Sequence, residues 1–426
     1  TIDSDINIGL KNAIKKLEKE IGKLPDYTCL ACSSAAGGLR MIVSGLVENV
    51  TAKAAKEASL GAGAKVIKTY AYELSEEDLI EIDKINPEIF LLSGGTDGGD
   101  KKCILHNANI IAKSKSKFPI IIAGNKEVSY KCKNILKNKE TYVVENVMPQ
   151  FGKLNINSAQ NKIREIFLKK IIYAKGISKI DSLMSEIIMP TPSAVMKSLE
   201  LLSSGYEQES GIGELMAIDL GGATTDIYSI GYGNPQNSNV IYNGIEEPYV
   251  KRTVEGDIGM RYSIDGIVDY TSIDEISNIL NLPKEKTLQM IEYLKNNPHT
   301  VSSEKEFMNL DLVIASKAIE IATKRHCGTR EEIYTSNGVA YLQNGKDLTS
   351  IKNIIATGGA LIHLSDINKL IKYALYDLNQ PYSLKPKKAK ILVDKKYILS
   401  AMGLLSKLYP EIAIRIMKKE LKYDRN

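Results

Sequence analysis

The chain has 426 residues, 43% of them hydrophobic and 25% charged, with a formal net charge of +5. At roughly 150 residues per domain this length calls for two or three domains, and the composition excludes wholesale disorder, collagen-like repeats and a coiled coil. The charge balance is too even to imply a nucleic-acid partner, and the longest apolar runs, such as Ile89 to Leu92, fall far short of the roughly 18 residues of a membrane helix.

From residue 26 to about 146 strand and helix signals alternate regularly, the pattern of a parallel α/β sheet. Tyr27 to Ala31 reads as a strand entering the small-residue loop CSSAAGG, and Lys65 to Tyr72 as a second strand. Ser75 with Asp78 resembles a capping box that opens a helix through Ile85. Ile89 to Leu92 is a third strand, entering SGGTDGG; Pro119 to Ala123 is a fourth and Thr141 to Val144 a fifth. Strands apolar throughout are buried on both faces, as in a doubly wound sheet, whose ligand or partner loops lie at the carboxyl ends. CSSAAGG and SGGTDGG fall there, although Asp97 and Asp100 read equally well as caps of the following helix.

A helix is expected around residues 155 to 175, and an apolar helix to about Leu202 after the Pro-Thr-Pro segment. LMAIDL, DLGGATTD and IYSI then read as a hairpin with glycines in its turn, and residues 273 to 325 as richly helical. Residues 351 to 357 form a strand running into ATGGA; a strand Lys390 to Val393, a helix Tyr397 to Leu408 and a basic terminal helix close the chain. The basic run Lys385, Lys387, Lys388, Lys390, Lys395 and Lys396 reads as a solvated face. The sparse, odd set of five cysteines fits a reducing compartment, and Cys29 and Cys32 are not followed by a second pair at metal-ligand spacing. The first residues carry neither a basic start nor an apolar signal segment, so a cytoplasmic protein, or a sequence beginning inside its gene product, is expected.

DLGGATTD, residues 219 to 226, carries the sharpest chemistry. A turn of Gly221, Gly222 and Ala223 lets backbone N–H groups approach a phosphate closely, and Thr224 and Thr225 add hydroxyls. Asp219 and Asp226 beside a phosphate are tolerable with a hydrated Mg²⁺ between the negative charges. Taken alone, the motif reads equally as a glycine hairpin with incidental aspartates. ATGGA again follows a buried strand and precedes a helix, placing Gly358, Gly359 and Ala360 where a nucleotide could rest on backbone. Ser400, Ala401 and Gly403, and the segment IIMPTPSAVMKSLELL, supply the small residues of a close helix crossing at a hinge.

In order, these four pieces resemble the actin, heat-shock chaperone and sugar-kinase ATPase superfamily, with a first connecting helix, phosphate hairpin, adenosine loop and second connecting helix. More narrowly, YTCLACSSAAGGLRM, LLSGGTDGGD and EPYVKRTVEGDIGMRYS resemble the MutL-type proteins encoded beside adenosylcobalamin-dependent glutamate mutase, unrelated to the mismatch-repair protein sharing that label. The resemblance implies an α/β, actin-like two-lobed ATPase fold with an inserted doubly wound module. Its first lobe is residues 1–205, with the module at about 26–146. The second lobe is 206–405, with a helical subdomain at about 264–345, and 406–426 form a C-terminal helix. It implies ATP or ADP with Mg²⁺ as cofactors. Asp219 and Asp226 then hold the metal or its waters and serve hydrolysis, Gly221 to Thr224 take the terminal phosphates, with Thr225 beside them, and Gly358 to Ala360 line the nucleoside. The implied activity is that of a chaperone-like reactivating ATPase with an adenosylcobalamin-dependent mutase as its protein client, and with neither nucleic acid nor membrane as partner. A sugar-type kinase and a non-catalytic actin-like structural protein are the alternatives. The superfamily's first phosphate motif, an Asp-x-Gly-Ser/Thr hairpin, is not found, and residue 1 falls a few tens of residues into the family pattern. In RTVEGDIGMRY, Arg252, Glu255, Asp257 and Arg261 suit a switch or catalytic role and, equally, salt-bridged charges at a helix start. Replacing either Asp219 or Asp226 by Asn is expected to stop hydrolysis without unfolding the chain.

Overall fold

Apolar strands of the first third and of the second half build two separate sheets in the computed structural model, which describes residues 6–23, 28–33, 39–174, 186–301, 303–336, 338–364 and 366–423. The first sheet is parallel throughout, in the order Ala64–Ala71, Leu39–Gly45, Ile89–Leu92, Ile120–Ile122 and Thr141–Val143. Its inner strands Ile89–Leu92 and Ile120–Ile122 bury both faces, as their unbroken apolar character requires, whereas the edge strands Ala64–Ala71 and Thr141–Val143 stay partly open. Met41, Val43, Leu91 and Ile121 meet the helices Lys53–Gly61 and Asn157–Ala174 on one side. Ile42, Phe90, Leu92 and Ile122 meet Glu76–Ile85, Lys102–Ala112 and Ser129–Ile135 on the other. The Ser75–Asp78 capping box is formed in both directions.

The first strand differs from its expected place. Leu39–Gly45 is a central strand of the sheet, whereas Leu30–Ser33 leaves it and pairs in parallel with Glu186–Pro190. Residues 34–38 of CSSAAGG lie outside the described residues.

The second sheet has six strands in the order Val250–Glu255, Thr225–Ile230, Leu215–Leu220, Asn353–Thr357, Lys390–Val393 and Lys422–Tyr423. Leu215–Leu220 and Thr225–Ile230 form the antiparallel hairpin, and Leu215–Leu220, Asn353–Thr357 and Lys390–Val393 run parallel. Alternation sets its two faces: Met216, Ile218 and Leu220 face the long helix Lys305–His326 and its neighbours. Leu215 and Ala217 face Thr191–Ser204, Leu399–Leu405 and Pro410–Glu420. A Cβ at Gly403 would stand inside the carbonyl of Ala194, so Thr191–Ser204 and Leu399–Leu405 cross in direct backbone contact.

Helices at Ile264–Thr271, Ile273–Leu280, Lys284–Asn296 and Lys305–His326 fill the helical region. Within the span read as helical to 345, Thr329–Thr335 and Gly338–Asn344 instead pair as strands and add Val240–Tyr242 at their edge. The consecutive charged residues Arg330, Glu331 and Glu332 give this half-exposed pair no continuous apolar signal. Among the described residues no helix is long and apolar enough to cross a membrane.

Candidate functional site

The hairpin places Asp219 and Asp226 opposite each other across the two antiparallel strands, with Leu220 opposite Thr225 beside the turn. The Gly221 N–H donates to the Thr224 carbonyl at 2.9 Å and closes the turn. Segment 258–262 braces it from below: the Arg261 and Tyr262 N–H groups donate to the Gly222 carbonyl at 2.8 and 2.9 Å, and the Met260 N–H to that of Gly221 at 3.1 Å. The approach needs Gly259, where a Cβ would lie 2.5 Å from the Ala223 carbonyl carbon. Gly221, Gly222, Ala223 and Thr224 keep open surface at the turn. Thr225 does not join them: it is buried, and its hydroxyl donates to the Ile258 carbonyl at 2.9 Å, behind the turn.

The two aspartates stand in different electrostatic surroundings. Asp226 is buried and pairs with Arg252, whose Nε and Nη2 lie 2.7 and 2.6 Å from its Oδ1. Arg252 is only 4% exposed, and its Nη1 donates to the carbonyls of Ala64 (3.0 Å) and Leu60 (3.3 Å), tying the hairpin to the parallel-sheet region. This differs from the expectation that both aspartates are free to be neutralised: Asp226→Asn would leave a buried guanidinium without its counter-charge. Asp219 keeps some open surface, and its carboxylate makes no hydrogen bond to another described residue. Its carboxyl is pushed up to about 7, first by burial and then by the negative charge of Asp226, with Asp394 adding to it against the opposing pull of Arg252. Asp219 is therefore a carboxylate short of positive charge, the condition a bound cation would relieve.

Asp394 ends the adjoining strand Lys390–Val393, where it accepts from the Ile398 N–H at 2.9 Å, the Leu399 N–H at 3.2 Å and the Thr357 hydroxyl at 3.1 Å. Its signal was present in the sequence, an aspartate between an apolar strand and a helix, the position where a carboxylate caps. Tyr397, at φ 54°, has its phenol pushed up to about 12, first by Asp219 and then by burial. Among the described residues no group of three or more histidine, cysteine or carboxylate side chains gathers as a metal cage. A hydrated Mg²⁺ asks for less, one or two carboxylates and several waters, and the oxygen donors of Asp219 and its neighbour fit that ion.

The loop at 358–360 is pressed onto the same end of the sheet. Gly358 has φ 94°, and a Cβ there would lie 2.5 Å from the Leu220 carbonyl oxygen and 2.6 Å from Asp219 Oδ1. A Cβ at Gly359 would meet nothing within 4 Å. On that open side lies a pocket of about 320 Å³ whose lining includes Gly222, Gly359 and Ala360, with Met308 and Asp311 of the long helix across from them. Arg261 holds the wall with a two-pronged pair to Asp311, at 2.7 and 2.8 Å. The fold thus brings Gly222 of the turn and Gly359 and Ala360 of the loop onto one pocket of small-molecule size, while Gly358 packs against Leu220 and Asp219.

The other polar candidates lie away from the pocket at Gly222 and Gly359. Glu255 pairs with Arg325, and Asp257 is 71% exposed. Asp97 accepts from the Lys126 N–H at 3.0 Å and from Asn146 Nδ2 at 3.0 Å, and Asp100 accepts from the Cys103 N–H at 3.1 Å, so both build the SGGTDGG loop and the start of its helix.

Against known proteins, the family model described as MutL protein matches residues 1–421. Protein MutL of Clostridium tetanomorphum is 44% identical over 425 residues, covering 99% of this chain and 92% of that relative.

Proposed function

The chain belongs to the MutL protein family, and from that membership we propose that it is an ATP-binding and ATP-hydrolysing, chaperone-like factor that reactivates an adenosylcobalamin-dependent mutase, glutamate mutase or a related aminomutase, on an actin-like two-lobed fold. The observation that carries the nucleotide reading is the contact of Gly358 with Leu220 and Asp219 beside the pocket at Gly222, Gly359 and Ala360. Gly222 of the turn and Gly359 and Ala360 of the loop line that one cavity, which supports reading them as phosphate and nucleoside contacts.

In this reading the N–H groups of the turn and the Thr224 hydroxyl take the terminal phosphates, and Gly358 to Ala360 support the nucleoside against the wall that Arg261 and Asp311 hold rigid. Asp219, with Asp226 alongside, would hold a Mg²⁺ ion, which would supply charge neutralisation for the phosphates. Arg252 keeps Asp226 oriented and passes any movement of the hairpin to the Leu60 and Ala64 carbonyls. The crossing of Thr191–Ser204 on Leu399–Leu405 at Gly403 is the pivot about which two lobes would turn.

The test is a pull-down from native cell extract with and without Mg-ATP. The reading predicts that a cobalamin mutase co-purifies and that its recovery changes with nucleotide. A mutase absent from both eluates would contradict the client assignment.

A further inference from the structure

A second cavity, of about 890 Å³, lies apart from the hairpin and is lined by five lysines, Lys317, Lys369, Lys372, Lys385 and Lys387. They come from the long helix Lys305–His326, the turns Ile367–Ile371 and Lys372–Ala374, and the segment that leads into strand Lys390–Val393. Leu370, Ile371 and Ala374 anchor these turns in the core, so the lysines stand on a fixed frame. Lys317 is committed to Glu275 and Glu320, at 2.7 and 3.0 Å, and Lys369 to Asp366. Lys372 and Lys387 are exposed and form no ion pair among the described residues.

Lys385 is the unusual member. It is 2% exposed, and its ammonium donates to the Tyr373 carbonyl at 3.2 Å without a carboxylate at ion-pair distance among the described residues. Lysines are almost never fully buried unless paired, and burial pulls the basicity of this one below its ordinary value. The basic run read from sequence as a solvated face therefore begins with a buried charge. Two carboxylates also line the cavity, Glu320, held by Lys317, and Asp377, which accepts from the N–H and Nδ2 of Asn379. Asp377 keeps its charge beside the neutral Asn379, and Lys372, Lys385 and Lys387, which lack carboxylate partners at ion-pair distance among the described residues, leave positive charge in excess.

We propose that this cavity binds a phosphate-bearing organic anion of roughly nucleotide size, at a site independent of the hairpin. Lysine ammoniums bind phosphate oxygens as point charges from several sides at once. The volume lies within the range of small-molecule sites, and Tyr373, Tyr376 and Leu375 give an organic moiety a surface to pack on.

The test titrates inorganic triphosphate calorimetrically into the full chain, with and without saturating Mg-ADP. With Mg-ADP filling the hairpin site, one triphosphate per chain should still bind. The double variant Lys372→Gln, Lys387→Gln, at exposed positions that do not endanger folding, should weaken it by about tenfold or more, and Lys385→Met should do the same. The proposal is overturned by no binding to the unaltered chain, by loss of binding when Mg-ADP is added, or by unchanged affinity in the double variant. A hexa-aspartate peptide that binds at least as tightly would also overturn it, in favour of an acidic protein segment.

Discussion

Asp219 and Asp226 face each other across one hairpin, yet they answer differently to the same substitution. Burial, followed by the negative charge of Asp226, pushes the Asp219 carboxyl up to about 7, above the ordinary aspartate range. Between pH about 4 and about 7 the folded chain holds a proton that the unfolded chain has lost, so stability falls as pH rises through that window and the penalty is complete above it. Asp219→Asn should therefore raise the melting temperature of the nucleotide-free protein at pH 8 by the equivalent of a few kcal/mol at most, and the gain should vanish towards pH 4. Thermal melts across that range check both the size and the sign. Because the same proton competes with a cation, Mg²⁺-dependent nucleotide affinity should fall by up to about tenfold per unit as pH drops below 7. Asp226→Asn should instead destabilise the chain by about 3 to 5 kcal/mol, since Arg252 stays buried and unneutralised. Denaturant midpoints for the two variants should move in opposite directions at pH 8. At this scale the residue types were legible from DLGGATTD and ATGGA, because glycine turns and flanking carboxylates are local features. The Arg252 partnership was not, because 26 residues separate it from Asp226 and only the sheet register unites them. Thr225, one residue inside the strand, could not be told from Thr224 without knowing which side of the hairpin faces segment 258–262.

Among the elements, the tightest joint is the crossing of Thr191–Ser204 and Leu399–Leu405 at Gly403. Gly403→Leu has to drive the helices apart and should cost about 1 to 3 kcal/mol or more. Ser400→Ala on the same helix, half exposed, should stay within about 0.5 kcal/mol. Equilibrium unfolding separates the two, and equal effects would deny the crossing its special place. The small residues of this joint were visible in sequence, as were the strands Ile89–Leu92 and Lys390–Val393, whose apolar runs have clear polar borders. Leu39–Gly45 was passed over for a physical reason: a strand buried on both faces shows no alternation, and this one emerges directly from a small-residue loop. The earlier run at 30–33 has much the same composition, and only pairing with Glu186–Pro190, some 150 residues away, removes it from the sheet.

Across the molecule, Arg252 is the one buried arginine among the described residues that touches both the hairpin and the parallel-sheet region, through Asp226 on one side and Leu60 and Ala64 on the other. If Mg-nucleotide draws the hairpin carboxylates towards the metal, the segment around residues 60–64 should feel it. Hydrogen exchange there should slow on adding Mg-ADP to the native chain, and Arg252→Lys, which cannot keep the forked geometry, should uncouple that response while the pocket still binds. The central claim is that nucleotide sits at the mouth shared by the turn and the 358–360 loop. Its most direct measurement is calorimetric titration of Mg-ADP into the chain and into Asp219→Asn at pH 8. One site per chain, weakened at least about tenfold in the variant, is the predicted result. No binding at millimolar nucleotide, or the same affinity in both proteins, would contradict it.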